Sequence, residues 1–194
     1  MGDIIAIKIF IDQGHNPSNW NTGALGNNLK EQDITYNVGI YLQDLLEEDP
    51  RFEVRVSRNS PTEVLGTSNS SSLVRRVALA NQWPADYFIS IHANASTNTN
   101  ANGSEVYVYK QNSPSYQLAT DVLENIVKEV GTKNNGVRIN PSLFVLRRTK
   151  MPAILVELGY ITNTKDAILL KNMQYEFAYG IYLGLLEYLN LQLL

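Results

Sequence analysis

No cysteine occurs in the 194-residue chain. Its absence excludes disulfides, thiolate metal sites and a cysteine nucleophile, and leaves His, Asp and Glu as the side chains able to ligate a metal. Histidine is nearly as scarce, with two copies, His15 and His92. A surplus of positive charge is missing too: 16 Lys and Arg against 19 Asp and Glu give a formal net charge of −3. No basic field therefore exists to draw in nucleic-acid phosphates or an anionic membrane surface. No apolar run approaches the roughly 18 residues that a membrane span needs, so no membrane partner is expected. The first residues, Met1 to Lys8, lack the charged stretch, longer apolar run and cleavage site of a signal peptide, and Ala6 stands where a myristoylation signal has Ser or Thr. An export signal is expected either to have been removed or never to have existed.

What is present is the material of a globular core. Hydrophobic residues make up 44% of the chain, enough at this length for one domain. With no internal repeat and no interdomain linker, residues 1–194 read as a single catalytic domain.

Ile4 to Ile11 is a nearly continuous β-branched run, the pattern of a strand buried on both faces, and it breaks at Asp12-Gln13-Gly14-His15. From Glu31 to Glu48, Ile34, Val38, Tyr41, Leu42, Leu45 and Leu46 recur at helical spacing. Phe52, Val54 and Val56 alternate with polar residues as in a half-covered strand, and Leu73, Val77 and Ala80 mark a short helix. Further strands are read at Tyr87 to Ile91, Glu105 to Tyr109, Leu143 to Leu146 and Ala153 to Glu157. Ser113-Pro114 predicts a helix start, Gly131 its end, Asn163 a cap, and a last helix runs from about Met173 towards Leu194. Alternating strands and helices predict an α/β layered fold with a mostly parallel sheet covered by helices on both faces. In such sheets ligands bind beyond the carboxyl ends of the strands.

Both histidines sit at a predicted carboxyl end: His15 four residues after Ile11, and His92 directly after Ile91. Imidazole is a favoured zinc ligand, and a hydrolytic zinc site commonly takes three protein ligands. Glu31 opens a helix that follows a strand, so its first turn lies on the same edge. The helix dipole explains an acid there equally well. Glu157 closes an Ala-Ile-Leu-Val strand on that edge, where an acid has to be paired or functional. Reaction logic then gives one zinc ion (Zn2+) to two histidines and a carboxylate, with a second carboxylate to take a proton from the attacking water. Asn94, beside the second histidine, is a candidate substrate contact. Arg147-Arg148-Thr149-Lys150 reads as a solvated charge run and stays outside the site.

The ordered motifs Ile11-Asp12-Gln13-Gly14-His15, Glu31, Arg76 to Asn81, Ser90-Ile91-His92-Ala93-Asn94, Met151 to Glu157 and Leu158 to Asn163 resemble those of the zinc-dependent N-acetylmuramoyl-L-alanine amidases of type 3. That family includes autolysins, spore enzymes and phage endolysins, and the resemblance covers essentially the whole chain. It implies zinc ligands at His15, Glu31 and His92, a catalytic Glu157, an αβα sandwich, and peptidoglycan as substrate, cut between muramic acid and L-alanine. It also implies action at the bacterial cell wall, by an exported, spore or phage lysis enzyme. The chain departs from the usual Asp-Pro-Gly-His-Gly-Gly opening at Gln13 and at Asn16-Pro17. Only ten residues separate His92 from Gly103, which argues against the inhibitory helix that some relatives insert there.

Two alternatives carry different expectations. A zinc peptidase of carboxypeptidase type uses the same donor set on a peptide bond. A wall-binding module that depends on a protein activator would keep the fold without independent turnover. Wall targeting would in either case come from the cleft, from further sequence or from a partner.

Overall fold

A computed structural model describes residues 6–194; the readings made on Ile4, Ile5 and the chain's start lie outside the described residues. The β-branched run forms β1 (Ile7–Gln13), and loop 14–24 leads into a two-stranded hairpin of β2 (Leu25–Gly26) and β3 (Leu29–Lys30). Asn27 and Asn28 turn that hairpin with φ of 47° and 61°, the left-handed pair that a tight two-residue connection requires. Then follow α1 (Glu31–Glu47), β4 (Phe52–Val56), α2 (Asn69–Gln82), β5 (Tyr87–Asn94) and β6 (Ser104–Val108). The chain closes with α3 (Pro114–Val130), β7 (Asn134–Ile139), α4 (Phe144–Arg148), β8 (Ala153–Tyr160), α5 (Thr164–Asn172) and α6 (Gln174–Tyr188).

Local chemistry sets several of these boundaries. Ser68 and Ser71 form a reciprocal capping box at the start of α2, and the Asn163 side chain accepts from the amides of Lys165 and Asp166 at the start of α5. Gly131 ends α3 at φ 80°, a conformation that costs a side-chain-bearing residue far more. One expected strand is corrected: Leu143 to Leu146 enters α4, with the Arg147 amide bonded to the Leu143 carbonyl at 3.0 Å. Four apolar residues in a row fit one buried helical turn as well as a strand, and Val145 and Leu146 are buried on one side of that turn. The last helix stops at Tyr188, short of Leu194.

Six strands form one sheet in the order β4-β1-β5-β8-β6-β7, parallel except where β6 runs antiparallel to β8. One face packs Ile9, Ile11, Ile89, Ile91, Ile154 and Val156 against α1, α3 and α6. The other packs Phe10, Phe88 and Leu155 against Val77 of α2 and Val145 of α4. The result is the expected αβα sandwich. Its two-sided coverage explains why β1, β5 and β8 read as continuous apolar runs.

Candidate metal centre

At the carboxyl end of β1 the chain leaves the sheet in a turn that α2 ties down. His15 has φ 67°, uncommon for a residue with a side chain. Arg76 of α2, 1% exposed, holds the turn: its Nη1 donates to Asp12 Oδ1 at 2.6 Å and to the Gln13 carbonyl at 2.5 Å, and its Nη2 donates to the His15 carbonyl at 2.6 Å. Asp12 also accepts from Ser90 Oγ at 2.9 Å, which ties β1 to β5. Between Asp12 and His15, Gly14 leaves no room for a side chain, since a Cβ there would lie 2.5 Å from His92 Cε1 and from the Ile91 carbonyl. Asn16, fully buried, extends the tie by donating to the Trp20 and Leu65 carbonyls at 2.8 and 3.0 Å.

Glu31 is the first residue of α1 and 4% exposed. Its Oε2 accepts from the Ala24 amide at 2.8 Å, and its Oε1 accepts from the Ala93 amide at 3.1 Å. Fixed in this way, Oε1 lies 3.0 Å from His15 Nε2 and 3.0 Å from His92 Nδ1, while the two ring nitrogens stand 3.1 Å apart. The three predicted ligands thus meet in a near-equilateral triangle, and they are the described group of three able to hold a metal ion.

The donor set fits zinc on two counts. Bonds of about 2.0–2.2 Å at tetrahedral angles separate ligand atoms by roughly 3.3 Å, close to the edges of this triangle. The proton count also leaves a place for a cation. His15 Nδ1 lies 3.2 Å from the Asn21 carbonyl, and a proton on that nitrogen would leave Nε2 free to ligate a metal. One proton on His92 Nδ1 satisfies only one of its two facing acceptors. Burial acts to raise the Glu31 pKa, and the bonds from His15 and His92 outweigh it, holding the carboxyl well below the usual range. Burial keeps His92 below the ordinary histidine value, which favours the neutral, ligating ring.

Glu157 sits one strand away, paired with His92 across β5 and β8. Its Oε2 is buried without a hydrogen-bond partner among the described residues. Burial, and after it the charges of Glu31 and Glu105, push its pKa well above the ordinary glutamate value. Both strands run past the expected ends, to Asn94 and Tyr160, and the register shifts between His92 and Asn94. Asn94 lies at the site, but its amide is engaged locally, donating to Glu105 Oε1 at 2.7 Å and accepting from the Ala95 amide at 2.9 Å.

A small, mainly apolar cavity of about 150 Å³ opens beside the two histidines, walled by Leu73, Leu143, Phe144, Val145 and Leu155. A roomier one of about 420 Å³ beside β4, lined by residues such as Arg55, Glu63 and Arg75, contains none of these donors. Arg76 and Asp12 fell within motifs noted in the sequence, yet nothing in spacing revealed that they clamp the His15 turn. Glu105 was visible only as an acid alternating with Tyr107 and Tyr109 along a strand.

Fold and donors together define an α/β domain with a two-histidine, one-glutamate group able to hold one metal ion. Residues 9–187 match the family described as N-acetylmuramoyl-L-alanine amidase, and the chain belongs to that family. It is 39% identical over 168 residues to N-acetylmuramoyl-L-alanine amidase CwlM of Bacillus licheniformis, covering 86% of this chain and 61% of that protein. To LytC of Bacillus subtilis, another N-acetylmuramoyl-L-alanine amidase, it is 33% identical, covering 89% of this chain and 33% of that one. The chain thus spans less than two thirds of either relative. The catalytic domain of CwlV, an N-acetylmuramoyl-L-alanine amidase from Bacillus(Paenibacillus) polymyxa var.colistinus, superposes with a TM-score of 0.84 at 30% identity, covering 96% of this chain and 99% of that one.

Proposed function

We propose that residues 1–194 are one catalytic domain that hydrolyses the amide between N-acetylmuramic acid and L-alanine in peptidoglycan, using one zinc ion held by His15, Glu31 and His92. The observation that carries this reading is the convergence of three donor atoms at 3.0–3.1 Å beside an unpartnered carboxylate, in a chain of this family. Zinc at that position supplies Lewis acidity to an amide carbonyl oxygen and to water.

The chain's own groups do the rest. His15 and His92 would offer ring nitrogens to the metal, and the Asn21 carbonyl 3.2 Å from His15 Nδ1 would orient that ring. Glu31 contributes negative charge that two backbone amides keep in place. Glu157 is the general base and acid: its buried Oε2 takes a proton from the attacking water and returns it to the leaving alanine nitrogen. A carboxyl with raised proton affinity suits both halves of that transfer, since it holds the proton between the two steps. Asn94 borders the bound substrate and supports Glu105. The workplace that follows from this substrate is the bacterial cell wall. Relatives of the chain include a sporulation-specific amidase of Bacillus subtilis and the endolysin of Bacillus phage SPP1. CwlD of Clostridioides difficile has been solved in complex with the GerS lipoprotein, and a protein partner belongs to the same proposal.

Digestion of purified peptidoglycan with and without a chelator, followed by mass analysis of the products, tests metal, bond and class together. The expected products are intact glycan and peptides with a new L-alanine amino terminus, formed only when zinc is present. Free amino acids released from peptides still joined to glycan would replace this reading with a carboxypeptidase-type one. Neither zinc uptake nor hydrolysis would leave a wall-binding module.

A further inference from the structure

The groups at the site continue in a row beyond the metal donors. His92 on β5 pairs with Glu157 on β8, and Glu157 pairs with Glu105 on β6. Arg138 on β7 comes next, with its Nε 3.4 Å from Glu105 Oε2. All four project from the sheet face that carries Phe10, Phe88 and Leu155. Over β8 that face is partly roofed by α4, whereas α3 lies against β6 and β7 from the opposite face. The β6–β7 part is consequently open, with Tyr109 43% exposed and the Arg138 side chain 55% exposed.

Glu105 is the keystone of this open strip. Only 4% exposed, it accepts from Asn94 Nδ2 at 2.7 Å, from Tyr107 Oη at 2.9 Å and from Tyr160 Oη at 3.4 Å. Tyr160 reaches it because of the register shift between β5 and β8: Glu157 pairs with His92 but Tyr160 pairs with Asn94, so the extra residue turns Tyr160 onto the face that its position in the alternation would otherwise deny it. Arg138 approaches Glu105 through Nε at 3.4 Å on a side chain that is 55% exposed, so its guanidinium, a planar fork suited to a carboxylate, stays accessible from solvent.

The charge arrangement needs such a group. Glu31, Glu157 and Glu105 crowd one edge, and none of them attracts an anionic peptide arriving there. Arg138 supplies the opposing charge. Strands lie about 4.8 Å apart, so β7 is roughly 10 Å from β8. An extended peptide covers about 3.5 Å per residue, which brings the second residue beyond the cut amide within reach of a long arginine side chain. We infer that the open strip of β6 and β7 is the binding subsite for the leaving peptide, and that Arg138, beside Glu105, recognises a free carboxylate carried by that peptide's second residue. This inference rests on the amidase reading.

The test uses two muramyl tripeptides that differ only in whether the second residue carries a free carboxylate or the corresponding primary amide, cleaved by the zinc-loaded wild type, Arg138→Gln and Arg138→Lys. Wild type is expected to favour the carboxylate by on the order of tenfold in kcat/KM, mainly through KM, as for loss of one charge-assisted bond. Arg138→Gln brings the ratio close to one, and Arg138→Lys restores part of it. A merely structural role for Arg138 would lower both substrates equally and leave the ratio intact, and that result overturns the subsite alone. No cleavage of either substrate by wild type would instead overturn the amidase reading, and the subsite would fall with it.

Discussion

His92 and Glu157 are register partners in the parallel pairing of β5 and β8, so an imidazole of the donor triangle and a carboxyl outside that triangle stand side by side on one sheet face. The rigidity of paired strands fixes their separation more tightly than any loop would. Replacement of Glu157 by Gln keeps the shape and removes the proton acceptor. Hydrolysis of peptidoglycan by that variant is expected to fall by about a thousandfold, within the range for general acid–base groups. Zinc content, measured on the same protein preparation, is expected to remain one per chain. Retained turnover would remove Glu157 from the mechanism.

Zinc removal should be visible without any substrate. The apo centre holds a buried carboxylate against two ring nitrogens with too few protons to satisfy all contacts. A cation bound only by the folded form stabilises it by about 2.7 kcal/mol at a hundredfold excess over Kd. For a domain of this size that corresponds to a rise in Tm of about 5–10 °C. Calorimetry of chelator-treated protein with zinc added back is expected to show the rise, and His15→Ala is expected to abolish it. An unchanged Tm would mean that the triangle does not hold the metal.

The sequence alone was sufficient to place His15, Glu31, His92 and Glu157 on one sheet edge, because the physics behind that placement is periodic: apolar runs mark strands and strand ends mark the edge. It was insufficient where position depends on long-range contact. Arg76 looks like an ordinary helical arginine until Asp12, Gln13 and His15 are folded over it. β7 has too little apolar pattern to be read, because Asn134-Asn135-Gly136-Val137-Arg138-Ile139 forms an edge strand with much of its surface in water. Gln13, which replaces the family's usual proline, is explained by the fold: its side chain accepts from the Arg58 amide at 2.9 Å and occupies the space that a side chain on Gly39 would need.

The Asp12–Arg76 pair should give the fold an acid-sensitive component. Burial acts to raise the Asp12 pKa, but the charge and hydrogen bonds of Arg76 prevail and hold it below the ordinary value of 3.8. A carboxyl lowered in the folded state contributes stability above its unfolded pKa and loses it as pH falls towards the folded one. Tm is therefore expected to fall as the solution is acidified below about pH 4, with a shallower dependence in Asp12→Asn. Arg76→Ala leaves Asp12 buried and unpaired, and is expected to cost about 3–5 kcal/mol at neutral pH. Equal acid sensitivity in wild type and Asp12→Asn would assign the effect to other carboxyls.

The contact between α3 and α6 depends on two glycines and offers a control remote from the chemistry. A Cβ on Gly184 would lie 2.4 Å from Val122 Cα and 2.6 Å from its amide nitrogen, and one on Gly180 would lie 2.8 Å from Ile126 Cα. These are backbone atoms, which cannot rotate aside. Gly184→Ala gains about 1 kcal/mol of intrinsic helix propensity, but it must push two helices apart across a core that includes Val122, Ile126, Ile181 and Leu185. Overpacking of that kind costs about 1–3 kcal/mol, and more where backbone has to move. A net fall in Tm of several degrees is expected on thermal unfolding. Zinc stoichiometry is expected to persist, because α3 and α6 cover the face opposite the one from which His92 and Glu157 project. A Tm equal to or above wild type would show that the helices are free to separate without loss of packing.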